Sequence, residues 1–441
     1  MKNFTLLILF ITISISAQTD AKIYDIISAV SADRIKADIK MLTEFGTRNT
    51  FSDTISTTHG IGAARRWIKS EFETISKSCD TCIDVSYQKD FVTKKDNRRV
   101  PHDAWIVNVI AIQKGTKYPN RYIIMSGDID SRASDTMDFT TNAPGANDNA
   151  SGMAGTIEAA RVLSKYKFES SIIYVGLSGE EQGLFGGAGL AKYAKDKGWE
   201  IIGILNNDMI GNITGVDGVI DNRAFRIFSE PVPANETEKQ RKMRRFYGGE
   251  VDGISRQLAR YTHKMTKTYM PEMNPMMIYR LDRFGRGGHH RPFNDLGFPG
   301  IRIMEAHENY TQQHQDIRTE NGINYGDTFE HVNFEYAKKL TTVNSITMAS
   351  LASAPPSPKE VAIGGIVKAS AKLKWNKVDG AKGYKIYWRD TTSPTWDNSR
   401  YVETTEFTLE GIVIDNFFFG VAAVGENGHE SVVVFPNKIM R

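Results

Sequence analysis

Cysteine is almost absent: 441 residues carry two, Cys79 and Cys82, spaced Cys-Asp-Thr-Cys. Two thiols cannot build a disulfide framework, and no partner ligands stand nearby to make a zinc knuckle. A small local disulfide in an oxidising compartment is the expectation. An excess of one charge is also missing. The formal net charge of +3 is too small to argue for a nucleic-acid partner or a charged membrane surface. Long apolar runs are confined to the N-terminus, where Lys2 precedes LLILFITISI and small residues end at Ala17. That pattern predicts a signal peptide over 1–17. The run is too short for a comfortable membrane span and no later stretch qualifies, so no stable membrane insertion is expected. The mature chain is therefore read as secreted or periplasmic.

What is present is alternation. The length favours two domains, one large enough to bury a full core. Ser31-Ala32-Asp33 ahead of RIKADIKMLTEF reads as a capped helix, and IGAARRWIKSEFETI from Ile61 as a second amphipathic one. Strands are predicted at 103–113, from Tyr122, at 172–177, 201–206 and 298–305, with helices at 151–165, 187–197, 253–266 and 335–352 between or after them. This is an α/β class: a mixed, largely parallel sheet sandwiched by helices, over residues 18–353. Between 222 and 283 the pattern loosens and reads as an insertion or a crossover with long flanks. Ala354-Pro-Pro-Ser-Pro358 is a linker over 354–358. Residues 359–441 change to short alternating strands near 372–375, 384–388, 407–409, 417–424 and 431–435, the pattern of a small all-β sandwich. Trp375, Gly383-Tyr-Lys-Ile-Tyr387 and 419–424 resemble a fibronectin type III domain. The tail has no acidic or histidine cluster, so binding of protein or glycan, or a spacer role, is expected of it rather than chemistry.

Carboxylates gather behind three apolar runs. Asp128 and Asp130 follow Tyr122-Ile-Ile-Met125, Glu180 and Glu181 follow IIYVGLSG, and Asp208 follows IIGILNN. Asp148 stands between two asparagines ahead of Ala150-Ser-Gly152. Open α/β sheets keep their chemistry at the C-terminal ends of their strands. Adjacent glutamates in a glycine-flanked turn are costly unless cations compensate them. One can ligate a metal while its neighbour faces a metal-bound water as general base.

PGANDNASG at 144–152, SGEEQGLFG at 178–186 and NNDMIGN at 206–212 resemble the co-catalytic zinc exopeptidases of clan MH, which include bacterial leucyl aminopeptidases and glutamate carboxypeptidases. The resemblance runs from about 61 to about 347. It implies two zinc ions bridged by Asp148 and a water, one completed by Glu181 and a histidine, the other by Asp208 and the residue at 128. It implies Glu180 as the base that takes the water's proton and passes it to the leaving amine, and a cis peptide after Asp148. His314 is favoured over His307 for the histidine, because the family places this ligand in a loop with an aspartate just beyond. His290, in the pair with His289, matches a stretch beside the family's substrate pocket.

One position departs from that pattern. The family has His-x-Asp where this chain reads Asp128-Ile-Asp130, with the aspartate orienting the histidine. An ion held by Asp128, Asp148 and Asp208 would be all-carboxylate, a set that favours manganese or magnesium or is weakly occupied. Asp130 loses its ring N–H donor and must find another or stay protonated. The reading is a metal-dependent exopeptidase acting on peptides, with aminopeptidase the expectation on family frequency. Carboxypeptidase, a glutaminyl-cyclase-type acyltransferase and a non-catalytic binding protein are the alternatives.

Overall fold

The computed structural model describes residues 20–246, 248–249 and 252–440; the expected signal peptide at 1–17 lies outside them. The chain opens with α1 (Ala21–Ala29), α2 (Ala32–Glu44) and α3 (Gly60–Ser78). The Ser31 hydroxyl caps α2 by accepting from the Arg34 N–H at 3.3 Å. Then come β1 (Ile83–Val92), β2 (Ala104–Gln113), β3 (Tyr118–Asp128), α4 (Gly152–Leu163), β4 (Ser170–Leu177), α5 (Glu180–Gly183), α6 (Phe185–Asp196) and β5 (Glu200–Asn207). The second half adds β6 (Ala224–Ser229), α7 (Glu238–Phe246), α8 (Ile254–Tyr269), β7 (Asn274–Ile278), α9 (His290–Asp295) and β8 (Gly300–Glu305). A small hairpin, β9 (Arg318–Glu320) and β10 (Ile323–Tyr325), and the long α10 (Phe334–Ala352) close this body.

The strands form one eight-stranded sheet in the order β1-β2-β4-β3-β5-β8-β6-β7. Its centre, β4-β3-β5-β8, is parallel, while β1–β2, β2–β4 and β6–β8 pair antiparallel. Burial on both faces makes the central strands apolar throughout rather than alternating, and every residue of β4 is buried. On one side Met125, Ile157, Leu258 and Val343 join a single core with α4, α8 and α10; on the other, Ile124, Val175, Leu190 and Phe293 pack under α6 and α9. No described helix is long and apolar enough to cross a membrane.

Three strands of the eight-stranded sheet were not visible in the sequence. β1 exposes polar side chains along an edge, which hides its period. β6 and β7 lie inside 222–283, so that stretch supplies one edge of the main sheet instead of being only an insertion. Cys79 and Cys82 form the expected disulfide, with Cα atoms 5.5 Å apart.

The tail holds β11 (Ala362–Gly364), β12 (Ser370–Lys374), β13 (Gly383–Asp390), β14 (Asn398–Val402), β15 (Glu406–Glu410), β16 (Phe417–Val424) and β17 (Lys438–Ile439). They make a four-stranded sheet, β15-β12-β11-β17, and a three-stranded sheet, β14-β13-β16, around Trp375, Ile386 and Val421. The strand expected at 431–435 is instead a segment held by isolated bridges at Glu430 and Val434. Ion pairs link the tail to the body. Asp252 receives Arg260 at 2.6 Å and the tail's Arg389, and Lys264 meets Glu430 at 2.7 Å.

Candidate active site

The parallel strands deliver their C-terminal ends to one edge. β3 ends at Asp128, β5 one residue before Asp208, and β4 three residues before Glu180. β3 lies between β4 and β5, so the chain moves outward in both directions from it, and a crevice opens where the two directions part. Asp148 enters on the tight turn at 146–151 that leads into α4. That turn can approach because it meets glycine: a Cβ at Gly152 would sit 2.3 Å from the Asn207 carbonyl oxygen. Asp327 fixes the turn by accepting from the Asn147 and Asp148 N–H groups at 2.8 and 2.7 Å. The Asp148–Asn149 peptide is cis.

Asp148, Glu181 and His314 come together, with a donor atom from each within 4.8 Å of the others. His314 Nε2 lies 2.9 Å from Asp148 Oδ2 and 3.1 Å from Glu181 Oε1. His314 arrives on the loop after β8, which Asp316 ties down by accepting from the Ser134 N–H at 3.0 Å. His307 stays apart, 4.0 Å from Asp217. Burial works against a charge on His314, but the Glu181 and Asp148 carboxylates outweigh it and push the imidazole up to about 9. Burial would likewise raise Asp148, yet the His314 hydrogen bond and charge hold it below the usual carboxylate range. The pocket is built for a cation. One nitrogen and two carboxylates around an open cleft are the donor set of a catalytic zinc site, and the residues present fit one such ion.

Glu180 lines the same cleft of about 760 Å³. Burial and the Glu181, Asp208, Asp128 and Asp148 carboxylates hold its carboxyl well above its ordinary value. Asp130 has found replacement donors: its oxygens accept the Gly179, Glu180 and Glu181 N–H groups at 2.9, 3.3 and 3.1 Å. It therefore sets the orientation of the turn that presents both glutamates.

Asp128 and Asp208 are engaged elsewhere. Asp128 Oδ1 lies 2.6 Å from His289 Nδ1, and Oδ2 accepts from Asn149 Nδ2 at 2.6 Å. Asp208 Oδ2 is 2.8 Å from Arg302 Nη2. The donor set expected for a second ion does not fit one in this arrangement. His290, expected beside the substrate or behind the ligands, lies near the buried Asn206 and Asp282. It is fully buried, with Nε2 2.9 Å from the Leu281 carbonyl oxygen.

A model described as Peptidase family M28 matches residues 108–340. The chain belongs to that family. This M28 peptidase is 37% identical over 423 residues to a protein of Pyrenophora tritici-repentis named "Probable zinc metalloprotease", covering 95% of this chain and 98% of that one. A protein of Leptosphaeria maculans bearing the same description is 39% identical over 421 residues, covering 95% and 97%. The fold is shared with LapB of Legionella pneumophila (TM-score 0.54, 16% identity, 76% of this chain and 75% of that one). It is also shared with an aminopeptidase of an Aneurinibacillus strain (TM-score 0.51, 15% identity, 76% and 97%). The M28 enzyme is a zinc metallopeptidase, a hydrolase of peptide substrates.

Arg302, Asn149 and Asp327 are parts of this M28 site that the sequence reading passed over. Arg302 had a signal, a lone charge inside the apolar run Gly300-Ile-Arg-Ile-Met304. Asn149 sat inside a recognised motif without an assigned role. Asp327 had none.

Proposed function

We propose that this M28 peptidase is an exopeptidase in which Glu180 moves the proton of the reaction. The observation that carries the reading is the placement of Glu180 at the cleft beside Asp148, Glu181 and His314, with no hydrogen bond from its carboxylate to a described residue. An ion of the zinc class held by those three residues would polarise the scissile carbonyl and lower the pKa of a water. Glu180 accepts the proton of the attacking water and hands it to the leaving nitrogen. Asp130 keeps Glu180 and Glu181 in register through the three N–H groups it accepts. Asp327 keeps Asp148 turned toward His314.

The amino end of the peptide is the expectation from the family. A second reading, carboxypeptidase action on the same fold, is favoured by the charge of the cleft. Arg98, Arg286 and Arg291 line it and form no ion pair with a described residue. Such a wall takes an anionic group, either a free C-terminal carboxylate or an acidic side chain. Export from the cytoplasm is supported by the signal-like 1–17 and by the Cys79–Cys82 disulfide. The two small sheets of the tail support the fibronectin type III reading and a role in binding protein or glycan.

The test is hydrolysis of a panel of aminoacyl and C-terminal peptide substrates, neutral and acidic, with and without chelator, beside Glu180→Gln. Chelator-sensitive cleavage that Glu180→Gln lacks supports the reading, and the released residue names the end attacked. Internal cleavage alone, or turnover unaffected by Glu180→Gln, would sink it. Cyclisation of an N-terminal glutamine peptide without hydrolysis would move the assignment to an acyltransferase.

A further inference from the structure

The two halves of the site differ in what already occupies their ligands. Asp148, Glu181 and His314 converge on one point and face the cleft. Of the two ligands that only a second ion would use, Asp128 turns both oxygens to protein donors, and Asp208, which also lines the cleft, has one oxygen paired with a protein cation. Asp208 Oδ2 pairs with Arg302 Nη2 at 2.8 Å, and the same nitrogen lies 3.3 Å from the Asp208 carbonyl oxygen. Arg302 is fully buried. It sits on β8 directly opposite Asn206 of β5, two residues before Asp208.

Its other end is held as firmly. Nη1 donates to the Gly287 carbonyl at 2.7 Å and to Asp282 Oδ1 and Oδ2 at 3.2 and 3.1 Å. A guanidinium clamped between two aspartates and two backbone carbonyls inside a sheet has no path out of the site. Both oxygens of Asp128 already have a protein partner, His289 on one and the Asn149 amide on the other. The Asn149 amide is itself fixed, since Nδ2 also donates to the Asn207 carbonyl at 2.7 Å. A divalent ion at this position would have to displace a neutral donor and stand against a fixed positive charge.

We propose that this enzyme is mononuclear, holding one ion at Asp148, Glu181 and His314, with the Arg302 guanidinium standing where a second cation would otherwise neutralise Asp208. Arg302 is then a resident charge that positions Asp208 and compensates the carboxylates of the crevice. The proposal rests on the metallopeptidase reading above for its first ion, and not for its claim about the second.

The experiment counts ions. The full chain is saturated with zinc, freed of excess by gel filtration and analysed by plasma mass spectrometry; in parallel the metal-free protein is titrated with cobalt and followed by visible absorption. The expected result is one zinc per chain and a single cobalt step, with His314→Ala reducing the count to none. Asp208→Asn is expected to keep the count at one. Two zincs per chain, with the second lost in Asp208→Asn, would overturn the proposal while leaving the peptidase reading intact. No bound ion in the folded parent protein would overturn both.

The role of Arg302 has its own arm. The pair Asp128→His with Arg302→Met removes the fixed cation and restores an imidazole donor. A folded double variant that takes up a second cobalt in a separate step supports the assignment. A folded double variant, checked by circular dichroism, that still binds one ion would overturn it. Should the double variant not fold, the zinc counts of the parent and of Asp208→Asn decide the proposal by themselves.

Discussion

The Arg302 guanidinium and the Asp208 carboxylate meet at 2.8 Å with side chains 0% and 4% exposed, the first on β8 and the second just past the end of the neighbouring parallel strand β5. Burying either charge alone is costly, and the two are tolerated together because each satisfies the other. Burial acts against the Arg302 charge, yet Asp208 and Asp282 hold its pKa above the ordinary arginine value. Asp208→Ala leaves Arg302 with Asp282 as its one carboxylate. The expected loss is about 3 kcal/mol, the low end for breaking a buried pair, read as a lower midpoint in urea unfolding of the metal-free protein. A midpoint equal to the parent's would show that the pair carries no stability.

Glu180→Gln keeps the shape of the side chain and removes its capacity to take a proton. Turnover is expected to fall by about 10²–10⁴-fold, the usual span for losing a positioned acid–base group. Zinc content and thermal midpoint should stay at the parent's values, since the proposed ion is held by other residues. Loss of metal along with activity would show that Glu180 is a ligand rather than the base.

Arg286 and Arg291 face the cleft without ion-pair partners among the described residues. Replacing either by alanine is expected to raise KM about tenfold for substrates bearing a second carboxylate, equivalent to about 1.4 kcal/mol, and to leave neutral substrates unchanged. Equal losses on neutral and acidic substrates would assign the two arginines to the shape of the cleft instead of to charge recognition.

Glu230, just past β6, is buried, and its Oε1 has no hydrogen-bond partner. Burial, with Asp295 nearby, pushes its carboxyl up to about 7 from 4.5. A raised folded-state value means the native protein binds this proton more tightly than the unfolded chain does. Its contribution is fully present below about 4.5 and is lost as pH rises through about 7. Glu230→Gln is expected to flatten that part of the pH–stability curve, measured as urea midpoints between pH 4.5 and 8. An unchanged slope would remove Glu230 as its source.

Asp252 is the buried link between body and tail, shared by Arg260 and Arg389. Asp252→Ala leaves two arginines facing each other, and a cost of about 3–5 kcal/mol is expected. Limited proteolysis should then cut faster near the 354–358 linker than in the parent protein. Cutting at the parent's rate would show that the apolar part of the interface holds the tail unaided.

The central architecture was legible because its physics is local. Strands buried on both faces read as unbroken apolar runs, as in Ser170–Leu177, and the helices between them repeat at helical spacing. The edge was not. β1 pairs along its whole length with β2 but spends that pairing on polar side chains, and β6 and β7 are too short and too mixed to stand out. β14, in the tail, exposes four of its five residues and carries no apolar signal.

Within the site, the sequence by itself determined the inventory: Glu180, Glu181 and Asp208 behind their strands, Asp148 between two asparagines, and His314 in a loop ahead of Asp316. It also determined the anomaly at Asp128, because a missing imidazole is visible in one letter. Tertiary structure alone decided what each carboxylate faces. His314 reaches Asp148 across 166 positions of chain and Arg302 reaches Asp208 across 94, distances at which no local pattern constrains a contact. A carboxylate's chemistry depends on the charge a few ångströms away. That charge is brought by strand order, here by β8 lying against β5.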